Sequence, residues 1–155
     1  MIRTAKTRLW IGLAAAGMTL ATAGALLANA SSEAADGPRD GVFIHISHGP
    51  EDPHRVLMAL SMASIMADDR DVLVYFDIKA VQVVLEDAED LNYKHFPSSK
   101  EQLTNLPKKG VTLMACPGCL KAAGKTADAL APGVEIADKD RFFSFTEGRI
   151  LTLDY

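Results

Sequence analysis

Three short runs constrain the fold of this chain more than any other feature: Val42–Ser47, Asp71–Phe76 and Val111–Ala115. Each is almost continuously apolar and carries β-branched or aromatic side chains. A strand with one wet face alternates apolar and polar positions, whereas a strand covered on both faces does not. The runs therefore predict buried parallel strands. Helical signals fill the gaps. Asp52 can cap a helix with Pro53 at its first position, and His54–Ala67 is rich in Leu, Met and Ala. Lys79–Ala88 reads as a short helix. Ser98 and Glu101 have capping-box spacing ahead of Gln102–Leu106, and Leu120–Leu130 has a helical pattern. Val134–Ala137 and Arg149–Asp154 complete the strands, with a brief helix, Lys139–Phe145, that Asp138 can cap between them. The alternation predicts an α/β domain: an open, mostly parallel sheet of about five strands with helices on both faces.

The first thirty residues stand apart. Arg3, Lys6 and Arg8 precede an uncharged apolar run, Leu9–Ala28, which closes on Ala28-Asn29-Ala30. This is the pattern of a cleaved secretory signal peptide, and it predicts a periplasmic or extracellular protein with no stable membrane insertion after cleavage. The competing reading is an uncleaved anchor that leaves the domain facing the periplasm. Cutting after Ala30 leaves 125 residues: a flexible lead-in, 31–41, and a single domain, 42–155. The remaining 13 basic and 20 acidic residues give a formal charge of −7. That balance argues against nucleic acid or anionic lipid as a partner.

The only two cysteines fall in Met114-Ala115-Cys116-Pro117-Gly118-Cys119-Leu120, between the third strand and the next helix. Exposed helix amides there favour a thiolate over a thiol at Cys116. Pro117 lacks the amide hydrogen that a first helical turn leaves unused. A bridge between residues three apart closes too small a loop to restrict the unfolded chain much, so the spacing points to chemistry rather than stapling. Cys119 is placed to resolve a disulfide, ligate a metal or receive sulfur from Cys116. In open parallel sheets functional groups gather beyond the carboxyl ends of the strands, which predicts His48, Asp77 and Cys116 on one rim.

Several stretches resemble the DsrE/DsrF-like sulfur-relay family: Gly-Val-Phe-Ile-His-Ile-Ser from Gly41, Val-Leu-Val-Tyr-Phe-Asp from Val72, and Gly110–Gly124 around the cysteines. The resemblance spans about Gly41 to Tyr155 and identifies the chain as an exported variant with a Cys-Pro-Gly-Cys motif. It implies a central parallel sheet, assembly into homotrimers or homohexamers, and a persulfide carried on Cys116. The partners it implies are a sulfur donor or acceptor protein, or a small thiol or sulfide species. Cys-Pro-Gly-Cys also resembles the motif of thioredoxin-like redox proteins, so thiol–disulfide exchange stands beside persulfide transfer. No cofactor is needed for either, and His48 is the expected polar modulator.

Two alternatives stay open. Met58, Met62 and Met66 recur every four residues in line with His54, which suits packing or a subunit contact but also soft-metal handling. Cys116 and Cys119 with His48 or His54 would then form a copper site. The other alternative is a non-catalytic subunit of an exported assembly with buried thiols. His45, flanked by Ile44 and Ile46, reads as a satisfied core or interface histidine. The apolar circumference of the helix His54–Ala67 predicts a subunit contact as well as a face on the sheet.

Overall fold

The computed structural model describes residues 37–155. The expected signal peptide, and with it the start of the lead-in, lies outside the described residues. Five strands form one sheet: β1 (Gly41–Ile46), β2 (Asp71–Phe76), β3 (Thr112–Ala115), β4 (Val134–Ile136) and β5 (Ile150–Asp154). Their order is β4-β3-β2-β1-β5, and every pair is parallel. The domain starts slightly before the expected boundary. Gly41 already belongs to β1, Arg39 donates to the Asp69 and Arg70 carbonyls, and Asp40 pairs with Arg149.

The two faces of the sheet are covered unequally. Val42, Ile44 and Ile46 of β1, with Val72, Val74 and Phe76 of β2, pack under α1 (Pro53–Met66) and α2 (Ser99–Asn105) in the main core. A fully buried Leu, Ile or Phe there contributes roughly 1.5–3 kcal/mol. The opposite face carries a smaller cluster in which Leu73, Met114 and Ala137 meet Phe43, Tyr75 and Phe142. Its covering helix, α4 (Lys139–Ser144), has six residues.

The expected caps form. Asp52 accepts from the Arg55 amide with Pro53 in the first turn, Ser98 accepts from the Glu101 amide, and Asp138 accepts from the Asp140 and Arg141 amides. Two expected helices are cut short. Lys79–Ala88 keeps a single 3-10 turn, Ala80–Gln82, after which Val83, Val84 and Leu85 are buried as irregular chain. Valines lose side-chain freedom in a helix. Here backbone pairing competes as well, with Ala131 N–H donating to Val84 and Glu86 N–H to Ala129. The helix after the cysteines, α3, runs only from Pro117 to Ala122. It stops where Gly124 takes a left-handed φ of 69°.

Candidate functional site

Register assembles the site. On the thinly covered face, Asp154 of β5 stands opposite His45 of β1, and His45 stands opposite Tyr75 of β2. Tyr75 in turn faces Met114 of β3. Side chains repeat on one face every second residue. The next positions on that face are Asp77 and Cys116, and the Cys116 amide extends the ladder to the Phe76 carbonyl at 2.8 Å. The rim thus gathers Asp154, His45, Tyr75, Asp77 and Cys116 from four adjacent strands.

Cys116 is the N-cap of α3, and its sulfur accepts from the Cys119 amide at 3.4 Å. Cys116 and Cys119 are both half-buried residues with free thiols. Burial pushes the Cys116 thiol up, but the Tyr75 hydroxyl, the Cys119 amide and thiol and the Gly118 amide together bring it below its ordinary value. With a helix of six residues, the named donors rather than a long macrodipole do this. Cys119 moves the other way. Burial raises it, the Ile78 backbone opposes, and the neighbouring Cys116 and Asp77 raise it further. The pair is therefore ordered, with Cys116 first to ionise and Cys119 held as the thiol. Burial and the Cys116 sulfur raise Tyr75 well above the ordinary phenol range, so its hydroxyl keeps a proton to donate.

His45 lies between two carboxylates. Nδ1 is 2.9 Å from Asp154 Oδ1, and Nε2 is 2.9 Å from Asp77 Oδ1. The second contact is close but not aligned as a hydrogen bond, so its attraction is ionic rather than directional. Burial lowers the His45 pKa, the two carboxylates outweigh it, and the net shift is upward. The His45 ring stacks on Tyr75 with centroids 5.9 Å apart.

The structure does not bring the expected histidines to the thiols. His48 lies past β1, with β2 between it and the strand that leads to Cys116, and its neighbours are Ser47 and Arg55, each at 3.5 Å. His54 stacks on Tyr93 at 4.5 Å. Met62 and Met66 pack against the main core. Among the described residues no group of three or more His, Cys, Asp or Glu side chains is arranged to hold a metal ion. Tyr75 is the candidate site residue that sequence reasoning missed, and His45, read there as a core or interface histidine, joins the same row. One signal was available for Tyr75: a tyrosine inside a buried strand needs a partner for its hydroxyl.

The arrangement defines a class: a parallel α/β domain with a paired thiol at the carboxyl edge of an inner strand. The DsrE/DsrF-like family model matches residues 40–146, and the chain belongs to that family. Two solved structures are similar in fold. One is the protein of unknown function MTH1491 from Methanobacterium thermoautotrophicum, at 22% identity and a TM-score of 0.54. The other is the ychN protein from E. coli, at 17% identity and a TM-score of 0.58. Each alignment covers 74% of this chain and 99% of the other. No curated protein matches the sequence.

Proposed function

We propose that this is an exported sulfur-handling protein in which Cys116 carries a persulfide or exchanges thiols and Cys119 is the second thiol. The observation that carries the reading is the placement of Cys116: a half-buried residue with a free thiol at the N-cap of α3, its sulfur 3.4 Å from the Cys119 amide and its pKa lowered in part by the Tyr75 hydroxyl. Membership of the DsrE/DsrF-like family supports sulfur relay as the general role. A thiolate attacks a persulfide or disulfide sulfur in line with the bond that breaks, and a lowered pKa raises the fraction able to attack at neutral pH. In the first step the Cys116 thiolate bonds to the outer sulfur of a donor R–S–SH and R–S⁻ leaves, giving Cys116–S–SH. An acceptor thiolate then takes that sulfur and regenerates the Cys116 thiolate. Donor and acceptor are a partner protein or a small thiol or sulfide species. Tyr75 takes the modulating role first expected of His48, because it stands on the same face of the neighbouring strand and its hydroxyl lowers the Cys116 thiol pKa.

The protein acts as a homo-oligomer, a trimer or hexamer in the family's manner. Val56, Leu57 and Leu60 of α1 are used within the subunit, whereas Ile65 stays 63% exposed. Such a residue on an otherwise packed helix suits a contact between copies.

The test is cyanolysis after anaerobic loading with inorganic polysulfide and removal of excess reagent. Cyanide takes the outer sulfur as thiocyanate and returns the thiolate. The loaded wild-type protein and Cys119→Ser release thiocyanate, and Cys116→Ser does not. Equal release from Cys116→Ser overturns the assignment.

A further inference from the structure

The thinly covered face of the sheet holds a cleft of about 550 Å³, and Cys116 is part of its wall. Its other walls include five aromatic side chains: Phe43 and Tyr75 from the sheet, and Phe142, Phe143 and Phe145 from α4 and the residue after it. Phe142 meets Tyr75 edge-on at 5.0 Å and Phe43 at 5.8 Å, so these three rings form one packed group. Transfer of inorganic sulfide or polysulfide needs no such apolar chamber. A cleft of this volume, apolar with few polar groups, is the usual form of a small-molecule site.

We infer that this cleft binds the apolar organic part of a low-molecular-weight hydropersulfide or disulfide whose sulfur reacts at Cys116. The inference rests on the proposed role of Cys116 and adds the substrate class. The volume suits a body of aromatic or branched aliphatic size, and the reacting sulfur then lies against the Cys116 wall. The charged residues of the lining give the orientation. Asp138 is turned onto the Asp140 and Arg141 amides as the cap of α4, and Lys139 is the one cationic residue of the lining, which suits an anionic group. The leaving R–S⁻ is such a group. In the step, the Cys116 thiolate bonds to the outer sulfur, the S–S bond of R–S–SH breaks, and the electron pair leaves on R–S⁻. The sulfane sulfur stays on Cys116.

The probes are two neutral reagents with one reactive group, benzyl methanethiosulfonate and 2-hydroxyethyl methanethiosulfonate. Each converts Cys116–S⁻ to Cys116–S–S–R and releases methanesulfinate. Rates on the full-length reduced protein are followed by peptide mass at Cys116, counting the adduct together with any Cys116–Cys119 disulfide that Cys119 forms from it, and each is divided by that reagent's rate with free cysteine. Burial of a phenyl-sized group in the cleft predicts a normalised preference for benzyl of at least about tenfold. Thr152→Trp, from an exposed β5 position in the lining, fills the cleft and reduces the preference to within about twofold of unity, the range in which no apolar burial is needed. Phe143→Ser, at a residue 77% exposed, tests the same wall without touching the core and lowers the preference by a smaller factor.

Equal normalised rates in the wild type overturn the ligand class while leaving Cys116 as a reactive thiol. A preference that survives both variants also overturns it. If Thr152→Trp changes the oligomeric state by light scattering, a second copy covers the cleft and the ligand proposal falls. Failure of both reagents at Cys116 overturns the role of the thiol itself.

Discussion

Replacing Tyr75 with Phe removes one hydroxyl and leaves the ring, so it isolates that hydroxyl's effect on the Cys116 sulfur. The ring keeps its contacts with Phe142 at 5.0 Å and Phe43 at 6.2 Å, which favours an intact fold. A hydrogen bond to a charged group contributes roughly 1.5–3 kcal/mol. Cys116 is only half-buried and water can partly replace the lost donor, so the lower end applies. About 1.4 kcal/mol corresponds to about one pH unit in the thiol midpoint. A more basic thiolate is also a better nucleophile, with a Brønsted slope of about 0.4–0.5, which returns about threefold of a roughly tenfold loss of thiolate at pH 7. The expected net effect is a fall of about threefold in Cys116 reactivity at pH 7 and a plateau about threefold higher at alkaline pH. The assay is the iodoacetamide rate from pH 5 to 10, read by intact mass on a Cys119→Ser background, where Ser keeps a donor beside Cys116. The parent midpoint falls below the ordinary thiol value of 9.0. A parent midpoint at or above that value, or a Tyr75→Phe midpoint within about 0.3 pH units of the parent, a difference of about 0.4 kcal/mol, refutes the argument.

The His45 cluster carries a pH dependence of stability. Its folded pKa is raised, so folding binds a proton; the stabilisation is full below 6.5 and is lost as pH rises through the higher folded value. Thermal melts above pH 6.5 should show falling stability with a slope that shrinks in Asp154→Asn, and an unchanged slope removes the histidine as its source. Asp52→Ala removes the cap of α1 and should cost about 1 kcal/mol in denaturant melts; no loss would mean that the Arg55 amide finds another partner. Gly148→Ala should destabilise by roughly 1–3 kcal/mol, because the added Cβ would run into the Arg39 carbonyl oxygen, and an unchanged melt would show that the backbone there relaxes freely. Light scattering at micromolar concentration should show an oligomer, and a monomer there contradicts the proposed assembly.

The strands were legible because burial on both faces leaves few polar positions to confuse the period, as Val42–Ile46 and Val72–Phe76 show. The caps were legible because Asp52, Ser98 and Asp138 act within three residues of themselves. Failures came where distant backbone competes. Val83–Leu85 is held by hydrogen bonds that Val84 and Glu86 make to Ala131 and Ala129, which no local window contains. The same limit applies to the site. Cys116 announced itself through its neighbours in sequence. The Asp154–His45–Tyr75 row exists only once β5 pairs with β1 and β1 with β2, so strand order and register had to be known first. His48 follows β1 as the rim rule requires, but β2 lies between it and the strand bearing the thiol.

The most direct test of a sulfur-bearing Cys116 is a time course of peptide-resolved mass after limiting inorganic polysulfide is added to the reduced, full-length protein without oxygen. The account predicts that the mass of one sulfur atom appears first on Cys116, reverses with reductant, and disappears in Cys116→Ser. Sulfur that appears first on Cys119, or no adduct on either thiol, contradicts it.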